Sequence, residues 1–540
     1  MQLRHMGGGT IGGILRSRAT TVPSKPLLLT RQRSYTYSEI DELTDHAARG
    51  LAALGCQKGD NVCLMAGNHA EFIVSWFGSA RAGLVQVPVN TAYKGEFLAY
   101  IIEHCEAAVL ILDAGFIAQL QTALPALKNL RHLVFTQDTV PSEAASLGVA
   151  NCVGWSEFMR LGRAGADFPK VEPWDLATIM YTSGTTGRSK GVMTPHLHNL
   201  TQGLEASHAL RITSNDVLYT CMPLFHGNAQ WATVANALNA GATIALGERF
   251  SASRFWAEIR EFGATEFNAI GSMLYMLYAQ PPSPQDREHQ VRVVFAAPAP
   301  IEIFYKFEHR FGLRLLEGFG LTETKNIAYN PYDARRPGSF GKPTPTSILT
   351  ILDPNGHELP PGAVGEIAFR PKSPNILCRG YFRDPEATLR AMSDLWWHTG
   401  DLGFRDEDGY FYFVDRQKDA VRRRGENISS YEVERVVLVH PAVLDAAAIA
   451  IPSDVIEDDL MIVVILRDGR TLDPKDLFEH CDRNMPSFMV PRYIRFVSEL
   501  PRTPNDKIRK VELRGVGVTS DTWDSVAAGL KPTRLERAAG

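Results

Sequence analysis

The stretch Tyr181 to Lys190 reads YTSGTTGRSK and sets five Ser/Thr hydroxyls, two glycines and two cations within ten positions. Backbone N–H groups, hydroxyls and cations crowded into one short loop form a composition suited to wrapping phosphate. The spacing is not the Walker pattern G-x-x-x-x-G-K-[ST], because Gly184 and Gly187 stand too close together and no Ser or Thr follows Lys190. An ordinary Gly/Ser/Thr surface turn has the same composition. The decision rests on what flanks the loop.

Upstream, from Tyr35 to about Phe135, helical stretches alternate with short apolar runs. YTYSEIDELTDHAARGLAALG has helical spacing from a start at Ser38 and stops at Gly55, while NVCLMAG and AVLILDA read as buried strands. This alternation predicts an α/β architecture with a largely parallel sheet. Beyond the loop the pattern resumes, with DVLYTCMPL, ATIALG, VRVVFAAPAP and LRLLEGFG as strands and NAQWATVANALNAG as a helix. Between Ile348 and Tyr412 the texture turns to β, with D-P-N-G and E-D-G turns. From about residue 417, ISSYEVERVVLVH (Ser429 as N-cap), VLDAAAIAI, LMIVVILRDG and DPKDLFEHCDRNM outline a small α+β unit. The tail beyond Arg514 is expected to be peripheral.

The chain has 540 residues, 45% hydrophobic and 21% charged, enough for roughly three or four units of ~150 residues. Its formal net charge of −4 gives no reason to expect nucleic acid or an anionic membrane as partner. Seven scattered cysteines without a C-x-x-C indicate neither a disulfide framework nor a zinc site, and point to a reducing compartment. No window approaches the ~18 apolar residues of a membrane span. The basic, acid-free start lacks a signal-peptide core and reads best as a Gly-rich tail leading into a helix near Ile11. A soluble cytoplasmic protein without integral membrane contact is expected.

Four further stretches decide the loop's reading. MPLFHG places His226 after a strand end, GFGLTET places Glu323 after another, WWHTGDLG carries Asp401, and PRTPNDKIRK carries Lys507. In this order and spacing they resemble the adenylate-forming (AMP-binding) enzymes, which include acyl-CoA synthetases, luciferases and nonribosomal-peptide adenylation domains. The resemblance runs from about residue 12 to 515. Val217 to Gly338 looks closest to the crotonobetaine/carnitine–CoA ligase branch.

The resemblance implies a fold and a division of the chain. A large N-terminal domain of layered helices and sheets over 1–415 would bind nucleotide and acid. A hinge at 416–418 would join it to a small mobile α+β domain over 419–540. It also implies ATP, Mg²⁺ and coenzyme A, with a small carboxylic acid as substrate. The acid attacks the α-phosphate of ATP to give an acyl-adenylate and pyrophosphate, and a thiol then displaces AMP.

Residue by residue, Thr182, Ser183, Gly184, Thr185, Thr186 and Lys190 would cradle the β- and γ-phosphates. Ser189 stands where the family usually has proline, and is expected to loosen the loop. Glu323 would bind Mg²⁺, with Thr322 beside the α-phosphate. Glu317, Gly318, Phe319 and Gly320 would face the adenine, Phe319 replacing the usual tyrosine, and AAPAP with Ala297 and Pro298 matches a second adenine-side loop. Asp401 and Arg416 would hold the ribose. Lys507, following Asp506 in place of the usual glycine, would be the cation of adenylation.

Lys418 would be the hinge, presenting Lys507 for the first step and RRRGENIS for the second. Arg424, Gly425 and Glu426 would then meet CoA, Gly425 leaving room for pantetheine. Arg422, Arg423 and Arg424 read equally as CoA-phosphate contacts or as a solvated basic edge. The expected catalytic residues are Lys507, Glu323, Thr182 and His226. The last is either a core histidine or a group that orients the carboxylate between acyl pocket and thiol tunnel. The pocket is expected to place His226, Asn228, Trp231, Ile270, Gly271 and Ala296 against the acid. Trp231 is either plain core or a face for a cationic substrate.

The leading reading is an AMP-forming acid–CoA ligase. Its rivals are an adenylating enzyme that hands the acyl group to a carrier protein or other acceptor, and a silent nucleotide-binding regulator. The oligomeric state stays open, a homodimer included.

Overall fold

The computed structural model describes residues 7–165, 167–182, 188–416, 420–423, 426–453, 457–501 and 508–533. Two large sheets dominate the first two thirds of the chain. A seven-stranded sheet is ordered Asn151–Val153, His132–Phe135, Val109–Leu112, Asn61–Met65, Val85–Pro88, Leu176–Thr182, Lys190–Pro195. It is parallel up to its last, antiparallel pair. A nine-stranded sheet runs Lys342–Pro343, Lys325–Tyr329, Arg314–Leu321, Val293–Ala296, Glu266–Ala269, Val217–Thr220, Thr243–Leu246, Pro26–Leu29, Ser34–Thr36. Its interior pairs are parallel and both edges antiparallel. The central strands are apolar on both faces, as VLIL at Val109–Leu112 shows, because helices cover them.

The first long helix, Tyr37–Ala53, begins one residue before the Ser38 start expected from sequence. Thr36 and Glu39 form a reciprocal capping box there, satisfying two orphan N–H groups that Ser38 would leave open. Helix Ala70–Arg81 lies against it so closely that a Cβ at Gly78 would stand 2.7 Å from the Ala47 Cβ.

Ser347–Leu352, Gly365–Pro371, Trp396–Arg405, Met392–Ser393 and Phe411–Arg416 form an antiparallel sheet, as the alternating texture predicts. Beyond it, Ala420–Arg423 pairs with Glu426–Ser429, and helix Ser430–Leu438 starts under its Ser429 cap. Val443–Pro452, Asp458–Leu466, Tyr493–Phe496 and Trp523–Asp524 make the last sheet. The tail expected to be peripheral thus supplies an edge strand. It is held by Asp524, which pairs with Arg492 at 3.0 Å, an arrangement local periodicity does not reveal.

One buried cluster joins residues of the seven-stranded sheet, such as Val87 and Leu110, to Val433, Val436 and Ile494 of the small unit. All seven cysteines are free thiols, with the Sγ atoms of Cys63 and Cys105 3.3 Å apart.

Candidate functional site

The carboxyl ends of the parallel strands in the nine-stranded sheet open into a cavity of about 740 Å³, the position where open α/β sheets bind ligands. His226, Asn228 and Trp231 follow strand Val217–Thr220, Ile270 follows Glu266–Ala269, and Ala297 and Pro298 follow Val293–Ala296. Glu317, Gly318, Phe319, Gly320 and Thr322 line it along and beyond Arg314–Leu321, and Asp401 reaches it from Trp396–Arg405. Arg422, Pro452, Asp458 and Arg514 close it from the small unit. Ala296, fully buried in its strand, and Gly271, at the start of helix Gly271–Tyr278, stand behind this wall rather than in it.

At the expected adenine side, Glu317 accepts a 3.2 Å hydrogen bond from the Ala299 N–H, and burial pushes its carboxyl up to about 8. It is therefore mostly protonated at neutral pH and able to donate. Phe319 stacks on Phe340, with ring centres 4.6 Å apart, and Phe413 stands 6.5 Å away. Strand register sets Asp401 directly opposite Arg416, bringing the two residues expected at the ribose onto neighbouring strands.

At the expected phosphate side, Leu176–Thr182 and Lys190–Pro195 form a hairpin whose last described pair is Thr182 with Lys190. Ser183, Gly184, Thr185 and Thr186, between them, lie outside the described residues. So do Lys418, Arg424, Gly425 and Lys507. The Lys190 Nζ sits 4.6 Å from the centre of the Tyr381 ring, and the Tyr381 hydroxyl donates to Glu323 Oε1 at 2.8 Å.

At the expected acyl side, His226 Nε2 and Glu426 Oε1 are 2.9 Å apart, joining the large and small units across the cavity. Burial lowers the His226 pKa, but the Glu426 carboxylate more than reverses this and leaves it raised. Trp231 packs edge-on against His198, at 5.2 Å between ring centres, and burial pushes His198 down to about 3, keeping it neutral. The segment Asn228–Ala235, expected to be α-helical, winds as a π-helix before α-helix Asn236–Ala240.

The AMP-binding enzyme family matches residues 15–382, more than half the chain, and its C-terminal domain matches residues 432–507. The chain belongs to the AMP-binding enzyme family. It is 35% identical over 489 residues to a crotonobetaine/carnitine–CoA ligase of Salmonella arizonae, covering 89% of this chain and 93% of that one. Among solved structures it is similar to the anthranilate CoA ligase AuaEII in complex with anthranoyl-AMP, at 25% identity and a TM-score of 0.71. That match covers 96% of this chain and 98% of the other. It is also similar to ATP-bound MatB from Rhodopseudomonas palustris, at 27% identity, a TM-score of 0.66, and 94% and 98% coverage.

In this AMP-binding enzyme the fold brings to the site residues that its sequence did not single out. Tyr381 is one: only the folded chain brings residue 381 between positions 190 and 323. Gln202 and Asn326 also line the cavity. Asn326 donates to the Tyr329 hydroxyl at 2.8 Å, and its backbone N–H donates to Gln202. Of the Arg triplet, Arg422 lines the cavity, whereas Arg423 is buried and donates to the Val490 carbonyl at 2.6 Å, with Asp459 3.2 Å away. The basic-edge reading therefore does not hold for Arg423.

Ser189 differs from expectation as well. It is buried at 3% exposure and bonded to Glu432 of the small unit, while the loop it was expected to loosen lies outside the described residues.

Proposed function

We infer that this protein is an ATP-dependent, AMP-forming acid–CoA ligase. A carboxylate oxygen attacks the α-phosphorus of ATP and the bond to the β-phosphate oxygen breaks, releasing pyrophosphate and leaving an acyl-adenylate. The CoA sulfur then bonds to the acyl carbon, the bond from that carbon to the AMP oxygen breaks, and the thiol proton is lost. The observation that carries the reading is one cavity lined by Glu317 to Thr322, Asp401 and His226, with the small unit closing it through Arg422, Pro452, Asp458 and Arg514.

Each step asks something definite of the residues. In the first, two anions meet, so cations and N–H groups must neutralise them. Thr182, Ser183, Gly184, Thr185, Thr186 and Lys190 hold the leaving pyrophosphate, Thr322 stands at the α-phosphate, and Lys507 bridges it to the carboxylate. Asp401 and Arg416 fix the ribose, while Phe319 and Ala297 flank the adenine. Glu323 offers a single carboxylate, and among the described residues no group of three His, Cys, Asp or Glu is placed to cage a metal. That donor set suits Mg²⁺, which takes most of its ligands from phosphate and water. Bound there, Mg²⁺ would neutralise phosphate charge.

For the second step we propose that the small domain turns about Lys418 and brings Arg424, Gly425 and Glu426 to CoA. Glu426 beside His226 matches this second arrangement. The acyl end has Met222, Asn228, Trp231 and Ile270, and the carboxylate beside it, Glu426, is already engaged by His226, which favours an acid with a neutral tail.

The test is pyrophosphate release from ATP and Mg²⁺ across short, branched, aromatic, medium-chain and cationic acids, with and without CoA. Turnover that needs CoA and yields thioester is the expected result. Release indifferent to CoA would point to another acceptor. Lys507→Ala is expected to abolish adenylate formation while ATP binding survives.

A further inference from the structure

The large and small units also meet through a contact outside the cavity lining. The Ser189 N–H and the Ser189 hydroxyl both donate to one oxygen of Glu432, at 2.9 and 2.7 Å. Both residues are buried, at 3% and 5% exposure. Ser189 immediately precedes Lys190, the first residue of the returning hairpin strand. Glu432 lies in the first turn of helix Ser430–Leu438, and its own N–H is bound by the Ser429 cap. That helix continues directly from strand Glu426–Ser429. Glu426 and Glu432 therefore ride on one rigid strand–helix piece, as does Arg435, which pairs with Glu96 at 2.6 Å. Three contacts, at 426, 432 and 435, hold this piece against the large unit.

The three are not equivalent. Arg435 with Glu96 is a solvent-facing ion pair, its Glu96 side chain 65% exposed, and such pairs contribute little. The His226–Glu426 contact stands at the cavity wall, since His226 lines it, where CoA must pass under the proposed function. The Ser189–Glu432 contact is buried, with two hydrogen bonds to one carboxyl oxygen, and lies outside that cavity's lining, at a separate small pocket beside Tyr93 and Tyr100.

We propose that Ser189 and Glu432 are a positioning pair for the thioester-forming step: their contact holds the small unit in the arrangement that places Glu426 at His226. The proposal rests on the ligase reading above. It acts by population, since a contact made in one arrangement and absent in the other shifts the balance by its differential free energy. Breaking the pair should deplete the thioester-forming arrangement and leave the adenylating one free to form.

The experiment separates the two half-reactions. Adenylation is read by exchange of labelled pyrophosphate into ATP. Acyl transfer is read by mixing preformed acyl-adenylate with CoA. Ser189→Ala and Glu432→Gln are each expected to slow transfer by roughly tenfold or more, the range for hydrogen bonds to a charged group, with exchange kept within about twofold. Equal loss in both half-reactions would mean a merely structural role and overturn the proposal, as would no change in either.

Hydrogen exchange gives a second readout that needs no acid. In Glu432→Gln, faster exchange is expected at the Ser189 amide and across 426–438. Unchanged exchange there overturns the pairing. If the wild type forms no thioester with any acid, the ligase reading fails while the exchange result still judges the contact.

Discussion

The Tyr381 hydroxyl donates a 2.8 Å hydrogen bond to Glu323 Oε1, and the Lys190 ammonium lies over the same ring. A single phenol thus sets the distance between the two ends of the proposed phosphate and metal site. Removing the hydroxyl in Tyr381→Phe frees Glu323 to swing while keeping the ring under Lys190. A hydrogen bond to a charged group contributes roughly 1.5–3 kcal/mol, so adenylation is expected to fall by roughly tenfold or more. The Mg²⁺ concentration for half-maximal pyrophosphate exchange should rise as well. An unchanged Mg²⁺ dependence would sever Tyr381 from the metal site.

His226 and Glu426 carry a pH dependence with a definite sign. The His226 pKa is raised above its ordinary 6.5 by the Glu426 carboxylate, against the opposing effect of burial. A histidine raised in the folded state stabilises it fully below the ordinary value and loses that contribution as pH climbs through the raised one. The difference in Tm between wild type and His226→Gln should therefore shrink with rising pH above about 6.5. A difference flat from pH 6 to 9 would mean the pair holds no proton of its own.

Gly227 sits in helical backbone at φ −59°, ψ −29°, so alanine fits the main chain. Its Cβ would stand only 2.8 Å from the Trp231 ring. Gly227→Ala should displace the ring, with an overpacking cost of about 1–3 kcal/mol. KM is expected to rise for the larger accepted acids and to stay near wild type for the smallest. Equal effects across acid sizes would place the Trp231 ring outside the acyl pocket.

Lys325 and Glu205 form an ion pair with side chains 0% and 1% exposed. Thr346 donates to the other Glu205 oxygen at 2.6 Å. Lys325→Met would leave a buried carboxylate without its cation and is expected to cost roughly 3–5 kcal/mol in urea unfolding. Adding Glu205→Leu should recover most of that loss. Failure of the double variant to recover would mean the pair does more than neutralise itself.

The order of the motifs was readable because each sits where a strand ends, and strands announce themselves by apolar runs. Ser429 as a cap was readable for a similar reason, since capping acts over three residues. What stayed hidden depends on chain segments that meet only after folding. Tyr381 lies 58 positions from Glu323, and no local pattern marks it. Ser189 looked like a loosened loop because its acceptor lies 243 positions away. Gly271 and Ala296 stand at the expected strand ends but are not among the residues that line the cavity.

The π-helix at Asn228–Ala235 bears on how such a site can change. A π-helix closes each backbone hydrogen bond one residue later than an α-helix, so this segment stores surplus chain within its own length. Deleting one residue there would let it relax toward α winding, the lost residue being taken out of the surplus and the groups within the segment turned relative to the cavity. Asn236–Ala240 and the sheet beneath could stay where they are. The cavity wall is thus adjustable by chain length as well as by side-chain identity, and a one-residue deletion could reset which groups face the acid without rebuilding the fold around it.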